Sequence, residues 1–229
     1  MIPLATYRIQ FRNGMTFDRA IELIPYLKQL GISHLYASPV FTATSGSTHG
    51  YDITDFNEIE PSLGGREGFE RLARALKAAG LGLILDIVPN HMASSLENAW
   101  WRSVIKYGRQ SRYARYFDID GTQRLTLPFL GDTFEKVLEN GEIGVKNDSL
   151  TGDPALVYYD SYYPLNPDSW AGNRAAVLAL TDPEDIAELH ERQSWRLMSW
   201  RDAPTELSYR RFFEVTGLVG VRVEDHAVF

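Results

Sequence analysis

Cysteine is absent from the 229 residues, so the chain has no disulfide, no thiol nucleophile and no cysteine–zinc site. Long apolar runs are missing as well, and nothing approaches the roughly 20 apolar residues of a membrane span. Positive charge is in deficit. The net charge of −7 gives no support to a nucleic-acid partner. The N-terminus, MIPLATYRIQF, has no basic region followed by a long apolar one, so it does not read as a secretory signal. Internal repeats and low-complexity tracts are absent too. These absences together lead to an expectation of a soluble, cytoplasmic protein that binds neither nucleic acid nor membrane. The length suffices for one large domain or two small ones.

The most informative stretch is Gly80–His91, GLGLILDIVPNH. Its glycines suit the exit from a helix and entry into a strand. Leu83, Ile84, Leu85, Ile87 and Val88 form an apolar run broken only by Asp86. Such a run predicts a strand buried on both faces, as in parallel sheets covered by helices. Asp86, Asn90 and His91 then lie at or just past its carboxyl end, where α/β barrels carry their chemistry. A buried carboxylate needs a cation or hydrogen-bond donors. Asp86 therefore predicts a partner, an arginine on a neighbouring strand. Taken alone, His91 reads as a capping or packing histidine, and Asn90 as the residue holding the turn.

Upstream, Ala5–Phe11 alternates and predicts a first strand. Thr16 is a helix cap, and Phe17, Ala20, Ile21, Ile24, Leu27 and Leu30 recur at helical spacing, with Pro25 disturbing the regularity. Ile32–Ala37 predicts a second strand and Ser38–Thr48 a loop leading to His49-Gly50-Tyr51-Asp52. A second helix carries Phe69, Leu72, Ala73 and Leu76 on one face. Strand–helix–strand–helix–strand with tight connections predicts an α/β fold on a parallel sheet, as three-eighths of a barrel or half of a doubly wound sheet. Tyr51 on the same rim as His91 offers a flat face suited to a sugar ring; alone it also reads as a ring sealing its loop. Past His91 the periodicity stops until about Asp182. So long an irregular segment predicts a functional insertion or small subdomain. Asp182-Pro183-Glu184-Asp185 begins a helix expected to reach about Arg201, and Leu218–Val223 reads as a strand. His190-Glu191 lacks the second histidine of a zinc-protease motif, and Lys28, Arg66, Arg71, Arg74 and Lys77 read as surface charge. No set of metal ligands or cofactor-binding motif is visible.

Two motifs, DIVPNH (Asp86–His91) and HGYDITD (His49–Asp55), in this order and at these strand ends, resemble those of the α-amylase superfamily of glycoside hydrolases and transglycosylases. ATYRIQF, LYASPVFTATSGSTHGYDITDFNEIEPSLGG, DIVPNHM and YRRFFEVTGLVGVRVED further resemble its maltooligosyltrehalose synthase branch. The resemblance implies the first three β/α units of a TIM (β/α)8 barrel over residues 1–91. It implies an inserted B-type subdomain over 92–217 and a return toward the barrel over 218–229. It implies retaining chemistry that rearranges the reducing-end α-1,4 link of a maltooligosaccharide into an α,α-1,1 link. His91 matches the histidine that bonds the sugar at the cleavage subsite. Tyr51 matches the tyrosine stacked under that sugar, Asp86 the carboxylate that orients an arginine beside the nucleophile, and Asn90 the asparagine bracing the loop. His49 and Asp52 match the same wall.

The family's nucleophile lies in a glycine–x–arginine–x–aspartate pattern. Gly220-Val221-Arg222-Val223-Glu224 imitates it with glutamate in the nucleophile's place, and the resemblance puts this stretch before the strand that should carry it. The chain is therefore expected to lack nucleophile and acid/base, to expose unpaired sheet edge, and to be inactive alone. On this reading it is a fragment, a truncated product, or one half of a split enzyme whose partner is the C-terminal half. Two rival readings remain. One is another α-glucan hydrolase or transglucosidase of the superfamily; the other is a non-catalytic sugar-binding remnant.

Overall fold

The computed structural model describes residues 2–228, and the chain divides between Ala93 and Ser94 into two compact units. The first unit opens with β1 (Thr6–Ile9), α1 (Phe17–Glu22), α2 (Ile24–Gln29) and β2 (His34–Ala37). It continues with β3 (Phe41–Ala43), β4 (Ile53–Ile59), α3 (Gly65–Ala78), β5 (Gly82–Leu85) and β6 (His91–Ala93). Strands β1, β2 and β5 form a parallel sheet in the order β1-β2-β5. Thr16 caps α1 by accepting from Arg19 N at 3.3 Å. The helix expected over Phe17–Leu30 breaks at Leu23. This places Pro25 in the first turn of α2, where its missing N–H leaves no intrahelical bond unmade. Ile9, Phe11, Phe17, Leu27, Leu35, Leu72 and Leu76 make the core between sheet and helices.

Register decides which side chains share the opposite face. Arg8 stands beside Tyr36, and Tyr36 beside Ile84. Side chains alternate along a strand, so Asp86, two past Ile84, emerges on the face of Arg8 and Tyr36. Lower on that face His34 stands beside Gly82. A Cβ on Gly82 would lie 2.2 Å from the His34 ring, so the imidazole occupies the space a side chain would take.

Two expectations need correction here. The strand leading to Asp86 ends at Leu85 and is half-buried rather than buried on both faces; Leu85 is 37% and Ile87, just past it, 55% exposed. The reason is topological: among the described residues β5 is an edge of the sheet, with β2 on one side only. β1 is the other edge, so the three parallel strands leave the barrel open, as three β/α units should. Lastly, Ser38–Thr48 is not all loop, because β3 pairs antiparallel with β4, setting Thr42 beside Asp55 and Ala43 beside Ile53.

The second unit contains α4 (Ala99–Tyr107), β7 (Leu125–Leu130), α5 (Phe134–Glu139), β8 (Ile143–Asn147), β9 (Pro154–Tyr158) and β10 (Ser161–Pro164). It ends with α6 (Arg174–Leu178), α7 (Pro183–Glu191), β11 (Trp195–Ser199), α8 (Ala203–Glu206), β12 (Arg211–Phe212) and β13 (Val215–Gly220). The segment expected to be irregular thus holds an antiparallel meander, β8-β9-β10, and a strand, β7, that pairs in parallel with β11. Trp101, Phe117, Leu156, Tyr163 and Trp195 are buried at its centre. Asp182 caps α7 through Glu184 N at 2.8 Å, as the acidic helix start implies. The helix stops at Glu191, however, and not near Arg201. Buried Trp195 and Leu197 alternate into the core as strand residues do, and β11 finds its partner about seventy positions upstream. Among the described residues no helix is long and apolar enough to cross a membrane.

Candidate functional site

Asp86 is the centre of a small polar network in the first unit. Its backbone N–H donates to Ala37 O at 3.0 Å, prolonging the β2–β5 pairing and fixing the direction of the side chain. Oδ2 accepts from Tyr36 Oη at 2.9 Å and from Tyr51 Oη at 2.5 Å, and Arg8 Nη2 stands 3.7 Å away. Its side chain is 13% exposed, and these donors replace the water it has lost. The arginine belongs to β1, two strands away; the adjacent strand supplies Tyr36 instead. The guanidinium lies 5.5 Å from the centre of the Tyr36 ring and donates to Tyr51 Oη at 3.3 Å. The anionic acceptor pushes the pKa of Tyr51 and of Tyr36 upward, with desolvation adding to it, so both phenols stay protonated donors.

Tyr51 also ties Asp86 to His91. Its carbonyl lies 3.0 Å from His91 Nε2, and a carbonyl only accepts, so Nε2 carries the proton. Burial pushes the His91 pKa below its ordinary value, which keeps the ring neutral near neutral pH. The Asn90 side-chain oxygen is placed 3.0 Å from Nδ1. In the neutral ring that nitrogen accepts, so the amide NH2 belongs on this side. Both ring nitrogens therefore face protein groups.

His49 and Asp52 shape the loop that carries Tyr51. Tyr51 N–H donates to His49 Nδ1 at 3.0 Å, and the two rings stack with centroids 5.9 Å apart. Asp52 points into the loop: Thr44 Oγ1 donates to one carboxylate oxygen and Ser47 Oγ to the other. Gly50 N–H donates to the same Ser47 hydroxyl at 3.0 Å. Gly50 has φ +79°, and a Cβ there would lie 2.8 Å from Arg12 Nη2 and 3.0 Å from Pro39 O. Only glycine fits that backbone without strain. Beneath it, buried Arg12 pairs with Glu60 at 2.9 Å and donates to Phe41 O at 3.0 Å.

Asp86, Tyr51, His91, Asn90, His49 and Asp52 are thus linked in one continuous network. Arg8, Tyr36 and Gln10 belong to it and were not identified from sequence. The alternation of TYRIQF contained a signal, since Arg8 and Gln10 share a strand face, but nothing local said which face met Asp86. Glu224 lies exposed in the turn after β13 of the second unit.

A profile of the α-amylase catalytic domain matches residues 16–141. The putative maltooligosyl trehalose synthase of Mycobacterium tuberculosis is 43% identical over 236 residues, covering 99% of this chain and 28% of that protein. Among solved structures, maltooligosyltrehalose synthase from Arthrobacter ramosus is 40% identical with a TM-score of 0.85, covering 99% of this chain and 28% of its own. A glycosyltrehalose synthase, DSM5389, is 38% identical with a TM-score of 0.88, covering 99% and 30%. The chain matches the N-terminal portion of such synthases and spans less than a third of their length.

Proposed function

The chain belongs to the α-amylase family, and from that premise we propose that it is the substrate-gripping part of an enzyme that turns the reducing-end α-1,4 link of maltooligosaccharides into an α,α-1,1 link. The observation that carries the reading is the double attachment of Tyr51, whose phenol is held by Asp86 and whose carbonyl is held by His91. This fixes the ring at the carboxyl ends of parallel strands, where a sugar can stack on its face.

In this reading Asp86 has two tasks. Oδ2 anchors both tyrosines, and Oδ1, which has no donor among the described residues, receives the arginine that flanks the nucleophile. His91 props the Tyr51 carbonyl and shares its Nε2 proton with a sugar hydroxyl when substrate arrives. Asn90 braces the ring through Nδ1, while His49 and Asp52 form the wall beside it. Residues 92–217 act as the subdomain inserted after the third barrel strand, and 218–229 lead back toward the barrel. Retaining transfer needs a carboxylate nucleophile and an acid/base. Both belong to the remainder of the enzyme, so the chain alone carries out no turnover.

A chimera tests this. The chain replaces the matching N-terminal segment of the Arthrobacter ramosus synthase, and maltopentaose is the substrate. Loss of reducing ends without release of glucose supports the proposal. A chimera that only hydrolyses maltopentaose points to a general α-glucan hydrolase, and a folded chimera with neither activity overturns the enzyme reading.

A further inference from the structure

Gln10 lies just past β1 and uses every polar atom of its side chain within the site. Oε1 accepts from Arg8 Nη1 at 2.8 Å, and Nε2 donates to Thr48 O and to His49 O, each at 3.2 Å. The amide has one workable orientation. Turned over, its NH2 would face a guanidinium and its oxygen two carbonyls, with every contact repulsive. From His49 the path runs through Nδ1 to Tyr51 N–H, from the Tyr51 phenol to Asp86, and from Arg8 Nη2 back to that phenol. Arg8, Gln10, His49 and Tyr51 therefore close a ring of hydrogen bonds beside Asp86.

We propose that Gln10 is a positioning residue, which fastens the His49–Tyr51 loop to the first strand and so keeps the Tyr51 phenol on Asp86. The argument is geometric. Among the described residues, the bonds that run from loop backbone between Ser47 and Tyr51 to the end of the first strand are the two that Gln10 makes at Thr48 and His49. The other restraints on this stretch come from the loop itself, from Arg12 packed against Gly50, or from His91 beyond β5. Gln10 therefore carries the position of Arg8 to the backbone of the His49–Tyr51 loop, beside the direct contact of Arg8 with the Tyr51 phenol. A ring offered to a sugar contributes most when it is already held in place. That consequence for substrate rests on the enzyme reading; the fastening itself does not.

Two variants separate the two halves of the amide. Gln10→Glu keeps the acceptor for Arg8 and sets an oxygen against the two carbonyls. Gln10→Met keeps the volume and removes both functions. The chain is labelled with [13Cζ]tyrosine, Tyr51 is assigned with Tyr51→Phe and Tyr36 with Tyr36→Phe, and both are titrated by NMR. In the parent chain both phenols ionise above the ordinary tyrosine range. In each Gln10 variant Tyr51 is expected to move back toward that range while Tyr36, also bonded to Asp86, stays raised. Tyr51 remaining raised in both variants overturns the proposal. So does a parallel fall of Tyr36, which signals loss of the whole site instead of release of the loop. In an active chimera, Gln10→Glu is expected to raise KM for maltopentaose about tenfold with a smaller change in kcat. A shifted Tyr51 with unchanged KM would leave the fastening standing and count against the sugar-stacking role.

Discussion

His190 should make the second unit sensitive to mild acid, although it takes no part in the site. It is 3% exposed, and its ring lies 4.0 Å from that of Phe134 in a stacked arrangement. Nε2 accepts from Leu197 N–H at 2.9 Å, so the neutral ring carries its proton on Nδ1, which is buried with no hydrogen-bond partner. Adding a second proton would set N–H against N–H at Leu197. Burial, with Arg124 and then Arg196 opposing Glu191, pushes the pKa from 6.5 down to about 4. The folded state thus refuses a proton that the unfolded chain takes up. Stability is full above the unfolded pKa and falls as pH drops toward the folded one. Between about pH 7.5 and about pH 5 the linkage removes roughly 2 kcal/mol, and roughly 3 kcal/mol is gone below the folded pKa. Urea unfolding at the two pH values measures it. His190→Gln loses the stack and is less stable at both, but its loss on acidification should be smaller by about that 2 kcal/mol. Equal acid losses in parent and variant would refute the reasoning.

Gly82→Ala should destabilise by about 1–3 kcal/mol through collision with the His34 ring, and His34→Ala in the same chain should recover most of it in a double-mutant unfolding cycle. Arg12→Met leaves Glu60 with much of its charge uncompensated beneath Gly50. It should cost roughly 3–5 kcal/mol in urea unfolding and speed proteolysis within residues 41–52. Asp86→Asn removes the anionic acceptor shared by two phenols, so Tyr36 and Tyr51 should both ionise at lower pH, read as tyrosinate absorbance. The chain alone should form no trehalose end on maltopentaose; measurable turnover by the purified protein would restore Glu224 as a nucleophile candidate.

What the sequence disclosed follows the range of each interaction. The strand around Leu83 and the polar trio after it were legible because both are local: an apolar run, then Asp86, Asn90 and His91. The need of Asp86 for a cation or hydrogen-bond donors followed from burial cost alone. Which cation was not legible, since the sheet order that brings Arg8 near is a tertiary fact, and so is the meeting of Tyr36, within the strand Ile32–Ala37, with Asp86. Strand β11 was hidden because Trp195–Ser199 continues a helical-looking stretch, and only pairing with β7 distinguishes the two. The meander β8-β9-β10 escaped for the same reason, as its strands are short and rich in tyrosine and glycine, which serve turns equally well. Gln10 signalled only that it shares a strand face with Arg8, because its other partners are backbone carbonyls nearly forty positions away.

Among the described residues, the two outer margins of the β1-β2-β5 sheet are open to pairing with another chain. Each offers a rail of main-chain N–H and C=O groups to any strand that arrives with matching polarity, and all three strands run the same way. One molecule's β5 margin and another's β1 margin are therefore complementary. Nothing in that geometry closes on itself, so association along it would add molecule after molecule in a row rather than stop at a pair. Leu85 and Ile87 on one margin and Tyr7 on the other would make such growth favourable as concentration rises.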